Sequence, residues 1–382
     1  MKFWLAGLFL LSVFSTATLA QSVAIGQRFD LTLELQLNQG TTGQFAQVFV
    51  PNYFQPRENG TFLLVFHLHS ASWAADDAVY KAQANAVLFN IHLGALSSPY
   101  QNYFQDANKF RIILDKVKAV LQNHNIIITP TIDTLIVTSF SAGYAGVREI
   151  FKTPAYYDQI KALALADGLH CNSDPSLKEQ QMRDFLRFAK DARDQTKIFC
   201  LTHSAIPTSG YESTTQTANY LISGIGAQRI FVSAMDEIGL QQSACDTGNF
   251  HLKGYAGETA TDHMKHLYGL HLMLKQIIQI LHQTTVGVND SIIQPDRYFL
   301  VRNYPNPFNS ITHFVYQLPY SAPVSLKIFN AMGQLVDVVG GDVPSPGVHI
   351  LSWDGSKNSS GAYFYQLHWE GTIRSGRCLL IK

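Results

Sequence analysis

A chain of 382 residues, 46% hydrophobic and with a mean hydropathy near zero, can bury a large core and has room for two or three domains. Its 28 Lys and Arg offset its 28 Asp and Glu, so charge directs it neither to nucleic acid nor to an anionic membrane surface. Residues 1–20 have the make-up of a signal peptide. Lys2 supplies a positive end, residues 4–14 form an apolar stretch too short to span a bilayer, and Thr18-Leu-Ala20 offers a small-residue cleavage site before Gln21. No later segment reaches the length of a transmembrane helix, so the mature protein is expected to be exported and soluble. Export exposes Cys171, Cys200, Cys245 and Cys378 to an oxidising compartment. Three of them lie in the large first domain, where one disulfide is expected, with at least one thiol left over and buried.

Alternating apolar residues over 29–37 and 44–50, around Asn38-Gln-Gly-Thr-Thr-Gly43, predict a β-hairpin. Strand-like runs then follow at 63–66, 86–91, 134–139, 162–166, 198–201 and 230–232, interleaved with helix-like segments at 106–122, 144–151, 178–190 and 215–222. Strands that alternate with helices predict an α/β domain with a mostly parallel sheet covered on both faces. Thr261 or Asp262 is placed to cap a last helix, on which Leu267, Leu270, Leu274, Ile277, Ile278 and Leu281 recur at helical spacing. The pattern lapses over 284–297, a linker. Beyond it, over 298–382, short alternating runs at 324–328, 336–339, 348–353, 363–368 and 378–381 between Gly, Pro, Asn and Ser predict a small all-β sandwich. The expected organisation is thus a signal peptide (1–20), an α/β catalytic domain (21–283), the linker and the sandwich.

The run Thr134-Leu-Ile-Val-Thr-Ser-Phe-Ser141-Ala-Gly143-Tyr144 passes from a strand through Ser-x-Ser-x-Gly into a helix. A serine held on such a sharp turn needs small residues two positions to either side. Gly143 meets this demand fully and Ser139 nearly so. A serine becomes a nucleophile when a histidine takes its proton and a carboxylate orients that histidine. His263, in Gly257-Glu-Thr-Ala-Thr-Asp-His263, follows a strand-like stretch and opens the last helix, which makes it the candidate base. His266 and His271 fall further along that helix. Asp167 ends the apolar run 162–166, on the same rim as Ser141, and is the candidate acid; Asp236, Glu237 and Asp262 are the reserves. The oxyanion needs two fixed N–H donors. Ala142, after the nucleophile, supplies one, and Ala71 in His67-Leu-His69-Ser70-Ala71 the other, in preference to Ser70. His67 and His69, two apart on a strand, share a face. They either support this loop by hydrogen bonds or act as two metal ligands.

In architecture and elbow, the stretch from Phe29 to His282 resembles the α/β-hydrolase superfamily on its esterase and polyester-depolymerase side. The resemblance implies a secreted serine esterase with Ser141 as nucleophile, His263 as base, Asp167 as acid, Ala142 and Ala71 as oxyanion donors, and no cofactor. Its substrate would be a small or polymeric carboxylic ester, and aromatic segments such as Tyr100-Gln-Asn-Tyr103-Phe104 and Tyr211-Glu-Ser either line an apolar or sugar-binding cleft or pack in the core. Two other readings remain open. One is a metal-dependent hydrolase or deacetylase built on His67, His69, Asp167, His170 and His203, which chelators rather than serine reagents would inhibit. The other is a non-catalytic surface-binding module, which would keep Ser141 buried.

The last 85 or so residues carry Asn303-Tyr-Pro-Asn-Pro-Phe-Asn309, Leu326-Lys-Ile-Phe-Asn-Ala-Met-Gly-Gln334, Ser360-Gly-Ala-Tyr-Phe-Tyr365 and Cys378-Leu-Leu-Ile-Lys382. In that order they resemble the C-terminal sorting domain of the type IX secretion system. The resemblance implies export across the outer membrane by that machinery, to the cell surface or the medium. An accessory carbohydrate-binding sandwich is the alternative.

Overall fold

The computed structural model describes residues 23–38, 43–285, 302–318, 322–341, 347–369 and 372–382. The expected signal peptide and residues 286–297 of the expected linker lie outside these. The chain divides into two compact units, Met1–Gly287 and Val288–Lys382.

In chain order the first unit contains β1 (Gly26–Asp30), β2 (Phe45–Pro51), β3 (Thr61–Leu68), α1 (Ser72–Lys81), β4 (Ala86–His92), α2 (Ser97–Phe104), α3 (Asn108–Asn123), β5 (Thr131–Phe140), α4 (Tyr144–Phe151), α5 (Pro154–Gln159) and β6 (Ile160–Ala166). Then come β7 (Cys171–Asn172), α6 (Pro175–Arg193), β8 (Ile198–His203), β9 (Tyr211–Glu212), α7 (Thr214–Gly224), β10 (Ile230–Met235), β11 (Leu240–Thr247), β12 (Phe250–Tyr255), α8 (Ala260–Tyr268) and α9 (Leu270–Thr285). Ten strands form one sheet in the order β1-β2-β4-β3-β5-β6-β8-β12-β11-β10. Its centre, from β4 to β12, is parallel; β1 and β2 at one edge and β11 and β10 at the other are antiparallel. Strand order and helical crossovers are those of the expected α/β-hydrolase fold.

The central strands are apolar on both faces because both faces are covered. In β3, Phe62, Leu64, Phe66 and Leu68 enter the core layer under α3, α4 and α6, while Leu63 and Val65 enter the layer under α1 and α9. β6 divides its residues likewise: Leu163 and Leu165 face the first layer, and Ala162, Ala164 and Ala166 the second. That small-residue stripe lets α9 lie close on β6 and β8.

Three local expectations are corrected. The hairpin strand expected over 29–37 stops at Asp30, where the Asp30 carboxylate accepts from Thr32 N and the chain coils, Leu35 N donating to Leu31 O. Leu31, Leu35 and Leu37 still reach the core, whereas Leu33 is 79% exposed; the alternation came from a helical turn, not from a strand. The last helix is capped by Thr259, in a reciprocal capping box with Asp262. It also breaks at Gly269, where a Cβ would meet the Ile238 side chain at 2.4 Å. Finally, the expected disulfide is absent: all four cysteines are free and buried. Cys200 faces the layer under α1 and α9, while Cys171 and Cys245 face the opposite one, so the sheet itself separates Cys200 from the other two.

The second unit contains β13 (Arg302–Tyr304), β14 (Ile311–Leu318), β15 (Val324–Phe329), β16 (Leu335–Gly340), β17 (Gly347–Asp354), β18 (Gly361–Trp369) and β19 (Thr372–Leu380). Sheets β13-β14-β17 and β16-β15-β18-β19 are antiparallel. Phe314, Tyr316 and Trp353 of the first share a core with Leu326, Ile328, Tyr365, Leu367 and Cys378 of the second, a small sandwich as expected. Among the described residues, no helix is long and apolar enough to cross a membrane.

Burial pushes the Cys171 and Cys378 thiols up to about 11 and that of Cys200 up to about 12. Native protein is therefore expected to leave all four thiols unmodified by a disulfide reagent at pH 8, and to release four equivalents on denaturation. Fewer than four on denaturation would reveal a bridge.

Candidate active site

β5 ends at Phe140, and a 3-10 turn over Ser141–Gly143 leads into α4. Ser141 sits at φ +47, in the left-handed region that a side chain rarely occupies. Two glycines permit the turn. A Cβ on Gly143 would lie 2.4 Å from Leu68 O, so the elbow abuts the end of β3. A Cβ on Gly168 would lie 2.4 Å from Ser141 O and 2.5 Å from Ser141 N, so the loop after β6 presses on the nucleophile candidate's own backbone. The sequence signal for Gly168 was its place directly after Asp167, but its contact with Ser141 is tertiary. At the position where glycine is common, Ser139 is buried and its hydroxyl has no partner among the described residues.

Asp167 follows β6 at φ +42 and is buried. Its Oδ2 accepts from His263 Nδ1 at 2.7 Å; its Oδ1 accepts from Ser204 N at 2.8 Å and from Thr214 Oγ1 at 2.7 Å. Burial pushes this carboxyl up, but the His263 hydrogen bond, the neighbouring His266 and His263, and the Ser204 N–H together outweigh it and hold it well below the usual carboxylate range. The acceptor fixes the histidine tautomer: Nδ1 carries the proton and Nε2 is left as the base. His263 lies in the first turn of α8, with the Phe140 ring 4.5 Å from its own. Among the described residues, Ser141 Oγ makes no hydrogen bond, to His263 or otherwise. Such bonds are often long before substrate arrives.

Ala142 N begins the turn at the head of α4, and Ala71 is the N-cap of α1, so both donors stand at the positive ends of helices. His69, at φ +74, turns the chain out of β3. The loop is held from behind: Ser70 Oγ donates to Ala71 O at 3.0 Å, and Asn90 Nδ2 donates to Ser70 Oγ at 3.4 Å.

The residues of the metal reading have separate partners. His67 Nδ1 meets Thr138 Oγ1 at 2.7 Å, and His69, beyond the end of β3, meets the Tyr100 hydroxyl at 2.9 Å. His170 Nδ1 donates to Glu212 O, and His203 bonds Ser204 O and Arg229. Burial lowers both His67 and His69 to about 3. Among the described residues, no three His, Cys, Asp or Glu side chains group as metal ligands. The reserve acids lie elsewhere: Asp236 accepts from Tyr255 OH, Glu237 is 3.3 Å from His271, and Asp262 caps α8. His266 is buried on Thr202 Oγ1.

No family model and no curated protein matches the chain. Three solved structures to which it is similar are the siderophore hydrolase EstB from Aspergillus nidulans (10% identity, TM-score 0.36, 68% of this chain and 97% of that one), a cold-adapted esterase from an Arctic intertidal metagenomic library (12%, 0.35, 65% and 92%) and a soluble variant of monoglyceride lipase from Saccharomyces cerevisiae (9%, 0.33, 67% and 96%). At these scores the likeness carries no weight beside the geometry.

Two outcomes are expected. Gly168→Ala should distort the Ser141 turn and destabilise the fold by about 1–3 kcal/mol, read by denaturant unfolding. Asp167 is depressed from an ordinary value of 3.8, so its stabilisation is complete above that pH and is lost as pH falls through the lower folded value. The unfolding free-energy difference between wild type and Asp167→Asn should therefore be flat above about pH 5 and shrink below about pH 4.

Proposed function

We propose that the first unit is a serine hydrolase of carboxylic esters, with Ser141 as nucleophile, His263 as base and Asp167 as acid. The observation that carries this reading is the buried Asp167 carboxylate, which accepts from His263 Nδ1 on one oxygen and from Ser204 and Thr214 on the other, next to Gly168, which packs on the backbone of a serine in the left-handed region. Ser141 Oγ attacks the ester carbonyl and gives its proton to His263 Nε2, and Asp167 stabilises the imidazolium that forms. The Ala142 and Ala71 N–H groups receive the developing oxyanion. Collapse of the tetrahedral intermediate expels the alcohol, which takes the proton back from His263 and leaves an acyl-Ser141 ester. Water then repeats the sequence, with His263 as base, and frees the acid.

We further propose that residues 1–20 direct export and that 298–382 act as a type IX sorting domain. This places the enzyme outside the cell, where esters of polysaccharides or polyesters are candidate substrates. The support is the sequence motifs together with a compact second unit.

Ser141→Ala and His263→Ala should each lower kcat for p-nitrophenyl acetate by about 10⁴-fold or more, with Asp167→Asn close behind. An active Ser141→Ala protein refutes the assignment. In a host carrying the type IX machinery, secreted protein should begin at Gln21 by mass spectrometry, and deletion of 298–382 should retain esterase activity within the cell. Unchanged release would reject the sorting role.

A further inference from the structure

His170 lies three residues after Asp167, and the catalytic scheme leaves it without a task. Its position is fixed from two sides. Its Nδ1–H donates to Glu212 O at 2.9 Å, and its carbonyl accepts from the Arg148 guanidinium. Pairing of β7 with β9 ties its loop to that of Tyr211. The ring of Tyr144, the first residue of α4, lies 5.6 Å from its own and that of Tyr211 5.2 Å, both edge-to-face; Tyr211 is 47% exposed. Burial lowers the His170 pKa even though the Glu212 hydrogen bond and Asp167 pull it up, which favours the neutral ring. With Nδ1 committed to a carbonyl, Nε2 is a lone-pair acceptor, and among the described residues it has no partner. It is tied to the elbow by geometry: Gly168, two residues before it, packs on the Ser141 backbone, and Tyr144, which its ring meets, stands three residues after Ser141.

These groups select a ligand by its chemistry. A carboxylate would face the Nε2 lone pair, and a cation would face Arg148, which already lies 5.0 Å over the Tyr144 ring. A neutral hydroxyl suits an acceptor with no proton of its own, and a ring with a C–H face suits the exposed Tyr211. On the reading of Ser141 as nucleophile, we propose that His170 and Tyr211 form the subsite for the alcohol part of the ester, and that this alcohol is a neutral sugar whose hydroxyl donates to His170 Nε2. This favours acylated carbohydrate over polyester as the substrate class.

The test compares kcat/KM for a monoacetylated methyl xyloside with that for p-nitrophenyl acetate. Losing one neutral hydrogen bond should lower this ratio about 10-fold in His170→Phe, chiefly through KM. His170→Gln, which keeps an acceptor, should recover most of it, and Tyr211→Ala should lower it in the same sense. A ratio that does not move in His170→Phe, or a Gln variant no better than Phe, overturns the subsite. Should the Phe variant fail to fold, unmodified protein decides: methyl xyloside is expected to inhibit p-nitrophenyl acetate hydrolysis competitively, and absence of inhibition overturns the proposal. Ser141→Ala keeps the two readings apart. Loss of both activities there, with an unmoved His170 ratio, leaves the nucleophile standing and removes the sugar subsite alone.

Discussion

A carboxylate buried at the end of a strand must be compensated by hydrogen bonds, and much of the site follows from how Asp167 meets that demand. One oxygen takes the Ser204 N–H and the Thr214 hydroxyl, which brings in the loops after β8 and before α7; the other takes His263 and so anchors the head of α8. The following residue, Gly168, fits against the Ser141 backbone. The two ends of the β8–α7 connection, the head of α8 and the Ser141 elbow are thereby drawn together around a single charge. An aspartate alone at that depth would be pushed toward neutrality, and a neutral acid would hold the histidine tautomer less firmly.

The sheet beneath supplies a stiff base. Gln47, Asn90, His67 and Thr138 occupy one rank across four neighbouring strands. His67 bonds Thr138, and Asn90 reaches Ser70 in the loop that holds Ala71. Buried polar groups in an otherwise apolar layer cost stability when unpaired and rigidify their surroundings when paired. Here they lie under the loop proposed to receive the oxyanion, which needs donors fixed in advance of the reaction. The two helix N-termini, of α1 and α4, point their positive ends to the same rim of the sheet.

What the sequence made legible was what local pattern determines. The strand-serine-helix turn was readable because Val137, Phe140 and Gly143 announce a buried strand that ends on a close approach. Asp167 and His263 were readable because each ends or follows an apolar run on one side of a parallel sheet. α1 was missed because Ala74, Ala75, Asp76 and Asp77 put two carboxylates among its buried positions, so the helix shows no apolar stripe. Thr214, Ser204 and Gly168 were invisible as supports of the site, since each acts across a contact that spacing does not encode. The disulfide expectation failed for the same reason: an oxidising compartment permits bridges, but the fold decides which thiols can meet, and here the sheet keeps Cys200 from Cys171 and Cys245.

The central claim, an activated serine on the elbow, is most directly tested by treating the mature protein with a fluorophosphonate probe and mapping the adduct by mass spectrometry. The account predicts a single label on Ser141 that disappears in His263→Ala. A protein that stays unlabelled while folded, or a label carried by a different serine, would contradict it.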